Sequence, residues 1–362
     1  MISFVHTADI HLGLQFKGYL SPEKAIERRA ELWSTFQRIV EYTRDNRIDF
    51  LFIAGDLFEE QYFTLGDIKR VREILETAID VNIVIIAGNH DFLDNKSLYG
   101  KVEWSKNVTI FNGAKIQKKV FEDLNTVIYG YSWDKISIKE GLSLEGFEIH
   151  DEDYKNILLI HGDIGSESNY LPLDIKALEN LNMDYIALGH IHKPEKIRKN
   201  IAYSGSPEPL DFGETGPRGF MKGNISKEKK TVDFVPFSKR EYKSEVIYID
   251  ETMGYLDILE KFKVIDEIER KKDFFRININ GYRDKDINLK FLHRDLKNDF
   301  FHLEIIDKSI PDYDLETMEA DYKDNIIGQF INTMKTKDIK EKRVKDALYY
   351  GLEALLKEKI DI

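Results

Sequence analysis

Short apolar runs alternate with amphipathic stretches through the first half of the chain. Residues 2–5, 50–53 and 83–86 are brief runs rich in β-branched and aromatic side chains, the pattern of buried strands. Between the first two, Leu32, Phe36, Ile39, Val40 and Thr43 recur at helical spacing. Between the second and third, Ile68, Val71, Ile74, Leu75 and Ala78 do the same. Strand, helix, strand, helix, strand predicts parallel pairing through right-handed crossovers. Further runs at 157–160 and 185–188 extend the series, and 108–131 and 220–237 read as hairpins. The pattern predicts an α/β sandwich of two sheets flanked by helices.

From about Tyr242 the texture changes. A helical stretch (Leu256, Leu259, Phe262, Ile268) precedes an alternating strand (Phe275, Ile277, Ile279), and a second helix–strand pair ends at 300–306. This predicts a small αβαβ unit closed by Pro311. Residues 315–362 read as two helices, with stripes Ile326, Ile327, Phe330, Ile331, Met334 and then Val344, Leu348, Leu352, Leu355, Leu356. The expected divisions are 1–240, 241–310 and 311–362.

Composition narrows the class. With 362 residues, 42% hydrophobic and 33% charged, the chain can bury full cores and is not a disordered polymer. It has no cysteine, which excludes disulfides, thiolate metal sites and a cysteine nucleophile. No run approaches the roughly 20 apolar residues of a membrane helix, and residues 1–9 lack the regions of a signal peptide. The expectation is a cytoplasmic protein with no membrane partner. The net charge of −12 argues against general polyanion binding.

Polar residues fall in a telling place. Each apolar run of the first half ends in a candidate metal ligand: Asp9 and His11, Asp56, Asn89 and His90, His161, then His190 and His192. Sites in open α/β sheets form beyond the carboxyl ends of strands, so these segments would meet at one edge. Glycines at 55, 88, 162 and 189 let the backbone turn there. A lone Asp or His after a strand is usually a cap or turn residue. The ordered set is less easily dismissed, because it takes five of the nine histidines. All-nitrogen-and-oxygen donors suit Mn, Fe or Zn. Setting His90 aside, the seven others exceed the needs of one ion, whereas two ions about 3.5–4 Å apart would share them around a bridging carboxylate and favour in-line displacement at phosphorus.

The series Asp9-Ile-His11, Gly55-Asp56, Gly88-Asn-His-Asp91, His161 and Gly189-His-Ile-His192 resembles the calcineurin-like metallophosphoesterase superfamily over roughly residues 1–240. Within it, His6-Thr-Ala-Asp-Ile-His-Leu-Gly13 and Tyr203-Ser-Gly-Ser-Pro-Glu-Pro-Leu-Asp-Phe-Gly-Glu214 resemble the nuclease subunit of SbcCD-type double-strand-break repair complexes, YhaO-like branch. The resemblance implies metal one on Asp9, His11, Asp56 and His192, and metal two on Asp56, Asn89, His161 and His190. It makes manganese the expected ion. It also implies that His90 is the general acid at the leaving oxygen, oriented by Asp91. Relatives often carry His or Asp where this chain has Glu59-Glu60, which bears on substrate positioning. The arginines that extend these motifs in phosphoprotein phosphatases are absent after Asp56 and Asn89-His90.

The expected function is therefore a two-metal DNA exonuclease in repair, with endonuclease activity and a homodimer left open. The resemblance names an SbcC-type coiled-coil ATPase as partner, bound by the C-terminal helices, and the αβαβ unit as a DNA-capping domain. Two ions (+4) against Asp9 and Asp56 (−2) leave the occupied site near +2, an answer to the acidic total. Basic stretches at 193–199, 222–230 and 239–240 could add to it, or could be solvated faces. Rival readings are a phosphodiesterase or phosphatase on small esters, and a non-catalytic scaffold. His6, His150, His293 and His302 read as core or surface residues, and Trp33, Trp104 and Trp133 as packing.

Overall fold

The computed structural model describes residues 1–16, 20–113, 115–142, 144, 147, 149, 153–165, 168–284 and 286–357; His150 and the end of the C-terminal segment lie outside them. The chain divides into two compact units, Met1–Glu241 and Tyr242–Ile362.

In the first unit the strand–helix alternation runs β1 (Ile2–Thr7), α1 (Pro22–Asp45), β2 (Phe50–Ala54), α2 (Leu65–Glu76) and β3 (Asn82–Ile86). There follow β4 (Val108–Ile110), β5 (Gln117–Phe121), β6 (Thr126–Tyr131), β7 (Lys155–His161), β8 (Asp163–Ile164), β9 (Pro172–Leu173), α3 (Ile175–Asn180) and β10 (Tyr185–Gly189). The unit ends with β11 (Glu195–Arg198), β12 (Ile201–Tyr203), β13 (Gly219–Ile225) and β14 (Lys230–Pro236). One six-stranded sheet has the order β14-β13-β1-β2-β3-β4 and the other β11-β12-β10-β7-β6-β5. Strands β1 to β4 are mutually parallel, as are β6, β7, β10 and β12. The architecture is the two-sheet, helix-flanked α/β arrangement expected.

Strand alternation explains the layering. Phe50, Phe52 and Ala54 of β2 face the second sheet with Phe4, Ile157, Leu159 and Ala187, while Leu51 and Ile53 face α1 and α2. Every residue of β2 is buried, so its sequence reads as a continuous apolar run. The hairpin expected across 108–131 is corrected in part. Strand β4 pairs parallel with β3, and only β5 and β6 form an antiparallel pair. Strand β4 is short and only half-buried, so its sequence carried little to set its partner.

The second unit opens with a strand the sequence pattern did not reveal. β15 (Tyr242–Ile249) precedes α4 (Tyr255–Lys263), α5 (Glu267–Lys272), β16 (Phe274–Asp284), α6 (Leu292–Leu296), β17 (His302–Asp307) and β18 (Ile310–Asp312). It is an edge strand with Val246 and Tyr248 exposed, so its outer face breaks the expected polarity. Ile268, assigned to the helical stripe, lies in solvent on α5. Among the described residues beyond β18 there are three helices rather than two: α7 (Leu315–Asp321), α8 (Ile326–Lys335) and α9 (Lys342–Lys357). Ile327, Ile331, Leu348 and Leu352 form the core of this bundle. Among the described residues no helix is long and apolar enough to cross a membrane.

His6 is packed between the sheets, its Nδ1 2.8 Å from the Tyr185 hydroxyl on β10. Burial pushes its pKa from the ordinary 6.5 down to about 3. The unfolded chain therefore takes up a proton that the fold refuses, and stability falls as pH drops from 6.5 towards 3. Relative to His6→Phe, the wild type should lose about 1.4 kcal/mol of urea stability per pH unit between 6.5 and about 3. Parallel pH profiles for the two proteins would contradict this.

Candidate metal centre

The carboxyl ends of β1, β2, β3, β7 and β10 open onto one edge, where their exit loops interlock. The Asp9 amide donates to the Gly55 carbonyl (3.1 Å), and those of Ile10 and His11 to the Asp56 carbonyl (2.9 and 3.1 Å). Asp9, His11, Asp56 and His190 all have left-handed backbones, with φ of 53°, 50°, 51° and 97°. Non-glycine residues held there carry strain of roughly 1–3 kcal/mol each, tolerated only where the surroundings enforce it.

Three histidines share one arrangement. His11 donates from Nδ1 to Glu59 (2.7 Å), His192 from Nδ1 to Glu214 (2.5 Å), and His161 from Nδ1 to the Ala54 carbonyl (2.9 Å). Carboxylates and carbonyls only accept, so each Nδ1 carries a proton, and once the ring is neutral it is Nε2 that presents a lone pair. The Nε2 atoms of His11 and His192 are 3.2 Å apart. Two lone pairs at that distance repel unless a cation or a proton lies between them. Ligands of one ion at bond lengths of about 2.1 Å stand at such separations. His161 Nε2 is 3.1 Å from Asn89 Oδ1 and 3.2 Å from Asp56 Oδ2, and the same Asp56 oxygen is 3.8 Å from His11 Nε2. Asp9, His11 and His192 form one group that could hold an ion, and Asp9, Asp56 and His161 another. These donors fit two divalent cations.

His190 is brought to the same edge differently. Its backbone N–H donates to Asp9 (3.0 Å) and its ring lies 5.3 Å from that of His161, outside these two groups and outside a third formed by His11, Glu59 and His90.

The titration of these groups follows from crowding. Burial would raise Asp56, yet His161, His11 and His90 hold it well below the carboxylate range. Burial raises Asp9. Against burial, Asp56 lifts His161 to about 9, and Glu214 and Asp9 lift His192 to about 9. Burial and the neighbouring His161 push His190 down to about 3. Without a metal, protons on His161 and His192 supply the positive charge that the carboxylates require.

The resemblance assigned Asp91 to orient His90; the structure corrects this. Fully buried Asp91 accepts from the backbone of Gly88 (2.7 Å), Leu57 (2.8 Å) and Asp56 (3.2 Å) and from the Tyr99 hydroxyl (2.7 Å). Burial, then Asp56, pushes it up to about 6. It thus ties the β2 and β3 exits together. His90 Nδ1 donates instead to Glu59 (3.0 Å), whose other oxygen holds His11. The His90 side chain is 43% exposed, the accessibility a group meeting substrate needs. Hydrogen bonds from His11 and His90 outweigh burial and bring Glu59 down to about 2.

Sequence reasoning missed the anchoring roles of Glu59 and Glu214. Glu59 drew notice only as a departure, and Glu214 only as the end of a motif. The available signal was a carboxylate three residues after Asp56, too common a spacing to single out. Trp133 packs as expected and also donates from its indole to the His161 carbonyl (2.7 Å). Of the basic stretches, Arg240 is engaged inside the fold with Glu31 and Glu27, and Lys239 with Glu31.

The calcineurin-like phosphoesterase family model matches residues 2–194, more than half of the chain, and the chain belongs to that family. It is 30% identical over 250 residues to the uncharacterized metallophosphoesterase YhaO of Bacillus subtilis (strain 168), covering 63% of this chain and 59% of that protein. It is 30% identical over 244 residues to the DNA double-strand break repair protein Mre11 of Methanosarcina acetivorans, covering 63% of this chain and 37% of that protein. It is also 30% identical over 225 residues to Mre11 of Methanocaldococcus jannaschii, covering 57% and 56%. The aligned regions thus span less than two thirds of each relative. The family and the branch read from the ordered motifs agree with these matches.

Close packing at the strand exits leaves no room for side chains on the glycines. A Cβ at Gly88 would lie 2.3 Å from Asp56 Oδ1, and one at Gly55, with φ of +92°, 2.3 Å from His161 Nδ1. Gly55→Ala and Gly88→Ala should each lower stability to urea by about 1–3 kcal/mol. Wild-type midpoints in both would contradict the packing described.

Proposed function

We propose that the chain is a two-metal phosphodiesterase acting on DNA, an exonuclease of double-strand-break repair. The observation that carries this is the set of three imidazoles, each anchored through Nδ1, whose Nε2 atoms converge on buried carboxylates. Asp9, His11, Asp56 and His192 would hold one ion, and Asp56, Asn89, His161 and His190 the other, with manganese suited to the nitrogen and oxygen donors. When bound, the ions supply positive charge to the phosphoryl oxygens and acidify the attacking water. Relatives named as DNA double-strand break repair proteins support DNA as substrate.

The chain's own groups do the rest. Glu59 fixes the His90 ring through Nδ1 and favours its doubly protonated form, so that Nε2 carries the second proton and donates it to the leaving oxygen. Asp91 holds the loops that carry Asp56 and His90 in register. Glu59 and Glu214 keep His11 and His192 in the tautomer a cation needs.

His90→Ala should retain both metals and lose about 10²–10⁴-fold in turnover on single-stranded DNA. Asp56→Ala should lose metal and activity together. Glu59→Ala should weaken metal binding about 10–100-fold through His11, and lower turnover further through His90. Normal turnover by His90→Ala would remove the acid assignment. Hydrolysis of bis-p-nitrophenyl phosphate without cleavage of DNA would favour the small-ester reading.

The second unit is proposed as a DNA-capping region, and the helical bundle within it as the dock for an SbcC-type ATPase. Ile326 and Tyr350, exposed on α8 and α9, offer apolar contacts. A chain ending at residue 314 should fail to co-purify with that ATPase; undiminished co-purification would end the proposal.

A further inference from the structure

Arg218, immediately before β13, is a cation without adequate compensation. Its side chain is only 5% exposed, and its Nε is buried with no hydrogen-bond partner. Its Nη1 reaches only the carbonyl of its own neighbour Pro217, at 3.4 Å. The nearest carboxylate oxygen, Glu214 Oε2, is 3.9 Å from Nε and already accepts from the Leu210 amide (3.0 Å) and the Ser206 hydroxyl (3.2 Å). The other Glu214 oxygen is committed to His192 at 2.5 Å. A buried guanidinium so poorly matched calls for an anion.

The space for one is present. Arg218 lines a cavity of about 320 Å³ together with Lys193, Lys196 and Glu195 and with the apolar Met221 and Phe234. That volume is at the lower end of the roughly 300–1,000 Å³ of small-ligand clefts. Three cations and one acid line it, and Glu214 and Glu241 also attract Arg218, neither of them with a hydrogen bond to its buried Nε. Lys196 also meets Asp233 at 3.2 Å, but both of those side chains are exposed and their pairing is weak. The cavity flanks the candidate metal centre, since Lys193 follows His192 directly and Glu214 lies between His192 and Arg218.

We propose that this cavity binds a phosphate group of the nucleic-acid strand adjacent to the scissile one, with Arg218 and Lys193 as its main partners. The guanidinium fork matches phosphate oxygens, and the apolar lining of Met221 and Phe234 accommodates a sugar. Assigning the phosphate to a strand rests on the nuclease reading above; phosphate binding itself does not.

The test uses the full chain stripped of metal in EDTA, so that the metal centre cannot hold the ligand through its ions. Inorganic phosphate, thymidine monophosphate and tetrathymidylate are titrated by calorimetry. Saturable phosphate binding should weaken about tenfold or more in Lys193→Ala/Lys196→Ala and in Arg218→Met. Tetrathymidylate should bind about tenfold tighter than the monophosphate, an advantage both variants lose. If Arg218→Met does not fold, the exposed lysine pair carries the test. Absent binding, or equal affinity in all three proteins, overturns the site. A monophosphate that binds as tightly as the tetramer overturns the strand assignment. Phosphate binding that persists in a protein unable to cleave any phosphodiester supports the cavity and sinks the nuclease reading.

Discussion

Two carboxylates, Asp9 and Asp56, are buried together where parallel strands β1 and β2 end, and this pairing governs the architecture around it. Like charges in a medium of low polarity cannot both ionise unless positive charge stands close by. In the metal-free protein that charge comes from His161 and His192, both held protonated to about pH 9. Divalent cations offer more charge in a smaller volume, and replacing those protons with ions is what the surrounding donors are arranged to permit.

The fold serves that exchange. A parallel sheet delivers successive strand ends to one edge, and the second sheet, packed against it, brings β7 and β10 to the same edge with His161 and His190. Strand β2 carries no polar residue until it leaves the sheet, so its ligand Asp56 and its exit loop begin together. Left-handed backbones at Asp9, His11, Asp56 and His190 turn the chain abruptly enough to keep the side chains within reach of each other. Small residues then allow the loops to touch: a Cβ at Gly189 would stand 2.0 Å from the Ala54 carbonyl oxygen. Rigidity comes from buried acceptors, above all Asp91, which gathers four donors from two strand exits and Tyr99.

Much of this was legible in the sequence because two periodicities coincide. Strands buried on both faces read as apolar runs, and the first polar residue after each run marks the strand's end. Asp56 and His161 were visible for that reason. The same logic fails where a strand is half-exposed. β15 alternates buried and open positions against a polar background, and β4 is too short to declare its partner. Anchors such as Glu59 and Glu214 were hidden for a different reason. Their partners lie 31 to 48 and 22 residues away, and no local pattern separates an anchoring glutamate from a solvated one. Glu59 became interpretable only once one carboxylate was found between a ligand histidine and the exposed His90.

The direct test is anomalous diffraction at the manganese edge from crystals grown with the metal. The account predicts two peaks per chain flanking the Asp56 carboxylate, one beside His11 and His192 and the other beside Asn89 and His161, with His90 touching neither. A single ion, or ions bound elsewhere while these side chains keep their protons, would contradict it.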